Sequence, residues 1–335
     1  MIPYQSLAAT IGSEFAGRRY RFPWLSADLQ TLRNTLAPPA IDLSDWPSKE
    51  IRVRFDDSED ETFCFTHVPD TQTPATNHVA LIHGLGGDAS GNAIGYLAAT
   101  FLKAGYHVTR INLRAAPMVY HLASGISHAG KSEDLKAILT GLDKVLGPQR
   151  WLPLGISLGG NMLARALGDG ALADLDVAAA MTICAPLDMK AACDRILAPR
   201  NTIYARYLLR DLQSAVTNTG MGEQWRTEAV NARSVYEFDD RVTGPYHGFG
   251  DAETYYARAS AGPFLSQIEV PTLILHAQDD PWIPHESYEP FQPTAQSSAQ
   301  MLIVPKGGHV GFHYKGLETP AYCGAALKWF REAAS

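Results

Sequence analysis

The stretch WLPLGISLGGNMLARAL, residues 151–167, joins an apolar strand pattern to a helix pattern through the motif Gly155-Ile-Ser157-Leu-Gly159. A G-x-S-x-G motif in this context is typical of a sharp strand-to-helix turn that holds the serine clear of the sheet. Small residues at 155, 159 and 160 leave the room that this close approach of strand and helix requires. A chain with 28 glycines can contain this motif by chance, so the motif is specific only because it lies between a strand pattern and a helix pattern. The stretch predicts a nucleophilic Ser157.

Apolar runs alternate with helical patterns on both sides of this turn. Strands are predicted at residues 78–82, 108–113, 151–155, 177–184, 272–275 and 301–304, and helices at residues 92–104, 131–146, 157–167 and 320–331. Such strands need crossover connections, so we expect a mainly parallel sheet that is buried on both faces. Residues 51–55 and 62–66 alternate at period two around an acidic turn, which predicts an antiparallel hairpin at one edge. The fold class is therefore α/β, with a mostly parallel mixed sheet flanked by helices.

The alternation stops between residues 186 and 263, where helical fragments appear without a clear strand. We expect residues 186–263 to form a helical cap inserted into a core of residues 1–185 and 264–335, with residues 1–48 as an N-terminal extension. Helices packed at the sheet edge without a substrate role are the alternative. A stretch rich in Thr, Pro and Asp, residues 69–77, predicts a surface loop.

A serine hydroxyl needs a base within hydrogen-bond reach, and the base needs an orienting acid. Asp279 and Asp280 follow shortly after the apolar run 272–275, and His309 lies in the glycine-rich run Lys306-Gly-Gly-His309-Val-Gly311. Both follow predicted strands and are therefore expected at the carboxyl ends of the strands, where open α/β sheets form their binding sites. The order Ser, acid, His is that of the α/β-hydrolase fold. We predict Ser157 as nucleophile, His309 as base and Asp280 as acid.

Sequence order does not separate the two adjacent aspartates. Pro281 biases the backbone of Asp280 toward an extended conformation, and the spacing Asp280-Pro-Trp-Ile-Pro284 resembles the turn after the acid in many α/β-hydrolases. Asp279 is then expected to accept N–H groups of the turn.

Acyl transfer also needs donors aimed at the developing oxyanion. The run His83-Gly-Leu-Gly-Gly87 follows the first long parallel strand. We predict the backbone N–H groups of Leu85 and Leu158 as these donors. A phosphate-binding loop is disfavoured, because the run lacks both the Gly-Lys-Ser/Thr ending and the G-x-G-x-x-G spacing.

A metal site is not expected. His313 follows His309 by four residues, but the glycines between and around them oppose a helix, and no carboxylate stands at ligand spacing. His276 and His285 are interpreted as structural or surface residues. No cofactor motif is present, so we predict neither metal nor cofactor.

Composition excludes other classes of function. The chain has 335 residues, 19% of them charged, and a net charge of -7, which offers no basic surface for nucleic acid. Its four cysteines are scattered, as expected of reduced, buried thiols. Neither a signal peptide nor an apolar run of the roughly 20 residues that a membrane span needs is evident. We therefore expect a cytoplasmic protein without an integral membrane segment.

Several motifs outside the predicted triad carry a resemblance to one family. They are Phe22-Pro-Trp24, Leu29-Gln-Thr-Leu32, His83-Gly-Leu-Gly-Gly87, Asn112-Leu-Arg114, His128-Ala-Gly130 with Asp134, Ser157-Leu-Gly-Gly-Asn161, Glu237-Phe-Asp-Asp240 with Thr243, Gly248-Phe249, Tyr255-Tyr256, Asp279-Asp-Pro281 and Gly308-His-Val-Gly-Phe312. With these motifs the chain resembles the YheT/EMB8 group of α/β-hydrolases, relatives of ABHD1 and ABHD3. In this group a glycine is expected after Asn112-Leu-Arg114, where this chain has Ala115-Ala116.

The resemblance implies a serine carboxylic-ester hydrolase with a helical cap, no cofactor, and Ser157, Asp280 and His309 at the triad positions. It associates bacterial members with short acyl esters and animal members with phospholipids. We expect a small-molecule or lipid-like ester as substrate, cleaved through an acyl-enzyme intermediate. Phospholipase, thioesterase or acyltransferase activity on the same fold stays open, and a silent binding protein is the competing class. Oligomeric state has no signature in the sequence.

Some motif residues have no evident catalytic role. His128 with Asp134, and Arg241 beside Asp239 and Asp240, are interpreted as structural ion pairs or loop clamps. A role in shaping the cap or the substrate pocket is the alternative. The aromatic residues of the predicted cap suit either an apolar acyl pocket or the core of the cap itself.

Overall fold

The computed structural model describes residues 4–69, 77–294 and 297–335, so most of the predicted surface loop at 69–77 lies outside the described residues. Within them, one sheet of eight strands forms the centre of the molecule. Its strands are β1 (Ser48–Arg54), β2 (Glu61–His67), β3 (Asn77–Ile82), β4 (His107–Ile111), β5 (Arg150–Ile156), β6 (Ala180–Ile183), β7 (Thr272–Ala277) and β8 (Ala299–Val304).

The strands lie in the order β1-β2-β4-β3-β5-β6-β7-β8. The pairs β1–β2 and β2–β4 are antiparallel, with Ile51 opposite Cys64 in the hairpin, and the remaining pairs are parallel. The predicted mixed sheet with an antiparallel edge is therefore confirmed. Strand β6 is shorter than the predicted 177–184, since Val177 forms only an isolated bridge to Trp151.

Helices cover both faces of the sheet. The α-helices of the described residues are α1 (Tyr4–Ser13), α2 (Ala27–Leu36), α3 (Asn92–Lys103), α4 (Ser132–Leu146), α5 (Leu158–Gly168), α6 (Met189–Leu197), α7 (Thr202–Asn218), α8 (Glu223–Asn231), α9 (Val235–Phe238), α10 (Gly244–Tyr246), α11 (Ala252–Ala259) and α12 (Ala321–Ala333). Short 3₁₀ helices cover Pro117–Leu122, Pro199–Asn201, Gly262–Gln267 and His285–Phe291. None of the described helices is long and apolar enough to span a membrane.

Two hydrophobic cores follow from the alternation of side chains along the strands. In β3, Val79 and Leu81 join one core with α1, α3 and α12, whereas Ala80 and Ile82 join the other with α4 and α5. Successive residues of a strand point to opposite faces, so an unbroken apolar run fills both cores. The parallel strands thus end together at one edge of a rigid sheet.

The segment between β6 and β7 is described throughout and contains helices α6 to α11 but no strand. A π-helical turn, Asp239–Thr243, interrupts it between α9 and α10. Two small apolar clusters lie largely within this segment, one around Phe238 and Val242 and one around Tyr255 and Tyr256. Side chains of the segment also line a cavity over the carboxyl ends of the strands.

Helix α2 is an element that the hydrophobic pattern does not predict. Ser26 caps its first turn by accepting a hydrogen bond from the N–H of Leu29. Its fully buried residue is Gln30, while Leu29 and Leu36 are exposed. Because the helix turns a polar residue inward, it lacks the apolar periodicity that marks a packed helix.

Candidate active site

Ser157 lies in the turn between β5 and α5, with φ 51° and ψ −123°. A positive φ is costly for a residue with a side chain, and it persists only where the surrounding packing imposes it. That packing is tight, because a β-carbon at Gly155 would collide with the carbonyl of Gly159, and one at Gly159 with the carbonyl of His83. The glycines predicted from the motif are therefore required by the backbone around Ser157.

His309 lies within hydrogen-bond distance of both Ser157 and Asp280. Its Nε2 is 3.0 Å from Ser157 Oγ, and its Nδ1 is 2.8 Å from Asp280 Oδ2. The Trp282 ring stacks on the imidazole with ring centroids 4.4 Å apart, which fixes the plane of the ring. The structure thus brings together the three residues assigned from the sequence.

Asp280 is buried, and burial opposes its ionisation. The facing His309 ring and backbone N–H groups nonetheless hold the pKa of Asp280 below its ordinary value. Its Oδ1 accepts hydrogen bonds from the N–H groups of Trp282 at 2.8 Å and Ile283 at 3.1 Å. An ionised carboxylate accepts the Nδ1–H of the imidazole, which leaves the Nε2 lone pair toward Ser157.

Asp279 has a different set of partners from those expected. Its Oδ1 accepts hydrogen bonds from the N–H groups of Gly307 at 2.8 Å and Gly308 at 2.9 Å, and its Oδ2 accepts one from the Tyr20 hydroxyl. The expectation that Asp279 accepts N–H groups of its own turn is wrong, because Asp280 accepts those N–H groups. Asp279 instead fixes the loop that carries His309.

Helix α2 holds the same loop from the other side. Thr31 Oγ1 accepts a hydrogen bond from the His309 N–H at 2.9 Å. The buried Gln30 amide accepts from the His313 N–H at 2.8 Å and donates to the His313 carbonyl at 3.0 Å. Sequence reasoning missed this role, although the motif Leu29-Gln-Thr-Leu32 marked the position.

The predicted oxyanion loop, residues 83–87, packs directly against the nucleophile. A β-carbon at Gly84 would stand 3.0 Å from Ser157 Cβ. The buried His83 ring lies 2.8 Å from the Gly84 carbonyl through Nδ1 and accepts the Leu113 N–H at 3.1 Å through Nε2. Both Leu85 and Leu158 line the cavity that contains Ser157.

Two neighbouring cavities lie at the 83–87 loop. The larger, of about 350 Å³, contains Ser157 and His309 and is lined by apolar side chains that include Ile196, Leu208 and Ile283. The smaller, of about 140 Å³, shares residues 83–87 and Leu158 with it. Ala115 lines the smaller cavity with φ 57°, the conformation that the expected glycine would adopt without strain.

The motif residues interpreted as ion pairs or loop clamps do not contact the partners predicted, and two of them, His128 and Asp239, line the smaller cavity. Asp134 pairs with buried Arg114, whose Nη2 lies 2.7 Å from Asp134 Oδ1, and not with His128. Arg241 lies 3.6 Å from Glu228 at the surface. Asp239, whose pKa burial raises to about 6, accepts hydrogen bonds from the hydroxyls of Tyr256 and Thr243, both at 2.7 Å.

One group of possible metal ligands occurs in the part of the chain that the structure describes. Cys184, Asp280 and His309 place ligand atoms within 4.8 Å of one another. Metal binding would require a Cys184 thiolate, yet burial raises the pKa of that thiol well above its ordinary value. It would also require a His309 nitrogen that already faces Ser157 or Asp280. The donor set therefore favours hydrogen bonding over metal ligation.

Of the three other histidines considered for metal binding, His285 lies near the surface, 3.4 Å from Glu286 Oε2 through Nδ1, and the other two are buried. Buried His313 lies 3.1 Å from Asn34 Oδ1 through Nε2, and burial lowers its pKa to about 3. Buried His276 stacks on Tyr288 with ring centroids 4.3 Å apart. Both rings are packed as neutral side chains.

The sequence and the fold of this chain are similar to those of known proteins. The family model described as "alpha/beta hydrolase fold" matches residues 77–316. The sequence is 32% identical over 240 residues to the putative esterase YheT of Escherichia coli, covering 70% of each chain. It is 26% identical to human phospholipase ABHD3, covering 70% of this chain and 58% of that protein. An esterase of Pyrococcus furiosus superposes with a TM-score of 0.58 at 13% identity, over 87% of this chain and 94% of that one.

Proposed function

The chain belongs to the α/β-hydrolase family, in the group that includes the putative esterase YheT, and from this premise we propose that it is a serine carboxylic-ester hydrolase. The observation that carries the proposal is the continuous set of hydrogen-bond contacts from Asp280 through His309 to Ser157. A silent binding protein has no use for an ionised, buried acid that orients a base toward a serine.

In the proposed reaction, Ser157 Oγ attacks the ester carbonyl carbon while His309 Nε2 takes the hydroxyl proton. The N–H of Leu158, at the start of α5, and the N–H of Leu85 stabilise the oxyanion of the tetrahedral intermediate. Collapse of the intermediate breaks the bond to the alcohol, which leaves with the proton from His309. Water then attacks the acyl-enzyme through the same base and releases the carboxylic acid.

The substrate proposal follows from the larger cavity. Its apolar lining next to Ser157 suits a hydrocarbon acyl chain, and residues 186–263 act as a cap that supplies part of the lining. The name of the human relative favours a second candidate, a phospholipase that releases a fatty acid by the same chemistry. Thioesterase and acyltransferase reactions share the acyl-enzyme and differ only in leaving group or acceptor.

The direct test is hydrolysis of p-nitrophenyl esters from acetate to palmitate by the purified protein, with phosphatidylcholine vesicles as a parallel substrate. Ser157→Ala is the matched blank, because it removes the nucleophile and keeps the turn. We expect it to lose about 10⁴-fold or more in kcat. Retention of more than about a tenth of wild-type turnover would contradict the assignment of Ser157.

A further inference from the structure

Exposed apolar side chains are concentrated in two segments of the chain, residues 18–36 and 195–210, which we call the rim. Ten large apolar side chains are exposed among the described residues, and seven of them belong to the rim: Phe22, Leu25, Leu29, Leu36, Leu197, Ile203 and Tyr207. Helix α2 is inverted, because it buries Gln30 completely while Leu36 is 61% exposed. A cluster of exposed apolar side chains on a folded protein marks a surface that contacts another molecule.

The two rim segments are neighbours and border the opening of the larger cavity. Asp28 on α2 binds the start of α7, with Oδ2 3.1 Å from Arg200 Nη2 and Oδ1 3.1 Å from the Tyr204 hydroxyl. Three residues of the cavity lining are exposed, namely Thr35, Gly86 and Tyr207. Two of these three belong to the rim, so the cavity opens to solvent beside it.

The rim also carries an excess of positive charge. It contains eight of the 28 basic residues of the chain but only one of the 35 acidic residues, Asp28. Eight basic side chains against one acidic side chain give the rim a formal charge of +7, whereas the whole chain has −7. Four exposed side chains follow one another at helical spacing on α7: Ile203, Arg206, Tyr207 and Arg210. Apolar and basic side chains thus share one face of that helix, a pattern typical of membrane-surface helices.

We propose that the rim adsorbs to an anionic lipid surface, with its apolar side chains in the headgroup region and its arginines on lipid phosphates. Apolar burial and attraction to anionic lipid both strengthen the binding of a face with this composition. Adsorption places the opening of the larger cavity against the bilayer, so an ester dissolved in the lipid reaches the cavity without crossing water. The proposal goes beyond ester hydrolysis, because adsorption requires no catalysis.

A bilayer suits the rim better than other occupants do. A protein seated there would cover the opening between Thr35 and Tyr207 and exclude substrate, whereas a bilayer covers the opening and supplies the substrate. A second copy of the chain that docked symmetrically would oppose two rims of the same charge. Nucleic acid would bind the arginines but would leave the apolar side chains without a partner.

The test is co-sedimentation of the purified full chain with lipid vesicles. Vesicles of phosphatidylcholine alone are compared with vesicles of phosphatidylcholine and phosphatidylglycerol in equal amounts, each at low and at high salt. The protein carries Ser157→Ala in every experiment, so that hydrolysis does not alter the lipid. The fraction of protein in the pellet, measured against lipid concentration, gives the affinity.

Two double variants of the rim are compared with one control. Phe22→Ser with Ile203→Asn removes the two most exposed apolar side chains, and Arg21→Gln with Arg206→Gln removes two exposed charges. None of these four residues lines either cavity at the 83–87 loop. The control is Lys144→Gln with Val145→Asn, because these residues are an exposed charge and a 50% exposed apolar side chain on α4, outside the rim.

We expect binding to the anionic vesicles to be about tenfold or more tighter than binding to phosphatidylcholine at low salt, and the difference to shrink at high salt. Each rim double variant should weaken binding to the anionic vesicles by about tenfold or more. The control should bind within about twofold of the parent chain, since its side chains lie away from the lipid.

Equal binding to the two kinds of vesicle, or equal effects of the rim and control variants, would overturn the proposal. A loss confined to the arginine variant would overturn it too, because a general polyanion site would then explain the binding. Absence of binding to either vesicle would assign the rim to a protein partner, or to a second copy if gel filtration shows a dimer that the rim variants abolish.

The outcome does not depend on the proposed hydrolysis, because no turnover is measured. A chain that binds anionic vesicles but cleaves no ester would overturn the proposed function alone. Circular dichroism verifies the folding of each variant. Should a rim variant not fold, the lipid and salt dependence of the parent chain still decides the question.

Discussion

Asp280→Asn is the substitution that tests the arrangement of the site most sharply. Asp280 Oδ2 lies 2.8 Å from His309 Nδ1, while its Oδ1 is held by the N–H groups of Trp282 and Ile283. These two N–H groups keep an oxygen at Oδ1, so the new amide NH₂ must face His309. An NH₂ donor at that place favours the imidazole with its proton on Nε2, which then has no lone pair for Ser157.

The magnitude follows from the loss of the base. We expect kcat to fall by roughly 10³ to 10⁴, equivalent to about 4 to 5.5 kcal/mol of transition-state stabilisation. Folding should be preserved, because the amide has the size of the carboxylate. The assay is kcat on a p-nitrophenyl ester, with circular dichroism to confirm the fold.

Asp279→Asn is the matched control in the adjacent position. Its amide oxygen still accepts from Gly307 and Gly308, but the contact with Tyr20 loses its charged acceptor. Weakening these hydrogen bonds should cost about 2 kcal/mol of unfolding free energy and about tenfold or less in kcat. The reverse ranking of the two variants, with both folded, would refute the reasoning and move the acid to Asp279.

Three further outcomes are expected. Gly159→Ala should lower the free energy of unfolding in urea by about 3 kcal/mol or more, because the new β-carbon would collide with the His83 carbonyl. Gly324→Ala on α12 places its β-carbon in open space and should raise the same free energy by about 0.5 to 1 kcal/mol. Equal effects of the two substitutions would contradict the steric argument. Burial lowers the pKa of His78 to about 4, so its contribution to stability is complete above about pH 6.5 and is lost as the pH falls toward 4. The unfolding free energy of the wild type should decline over that window. In His78→Gln the decline should be less steep, by up to about 1.4 kcal/mol per pH unit, and identical slopes in the two proteins would contradict the role given to His78. EDTA should leave esterase activity unchanged, and loss with recovery on added zinc would favour a metal site.

The sequence predicts the sheet and the nucleophile turn because their determinants are local. Apolar runs that fill two cores must be buried strands, and the close backbone contacts of Gly155 and Gly159 leave a recognisable glycine pattern. The chain order of serine, acid and histidine follows from topology, since all three loops leave the same edge of the sheet. These features need no knowledge of distant contacts.

The missed features all depend on polar contacts between segments far apart in sequence. Gln30 turns inward to a loop that begins beyond residue 300, so no apolar period announces α2. Asp279 binds N–H groups of that loop and not of its own turn. Arg114 takes Asp134 as partner through the fold, which sequence neighbours do not reveal. Hydrogen-bond partners of this kind are set by tertiary geometry and not by local pattern.

The anchoring of the His309 loop by residues 20–31 has a consequence for the order in which the molecule assembles. Tyr20, Gln30 and Thr31 bind residues that are 287, 283 and 278 positions away along the chain, whereas the nucleophile turn and residues 83–87 are brought together by neighbouring strands. Closing the longer loop costs only about 0.6 kcal/mol more for each doubling of its length, but contacts so distant form late. We therefore expect a refolding chain to form the Ser157 turn before residues 20–31 fix the His309 loop, so that any esterase activity should return only after most of the sheet has formed.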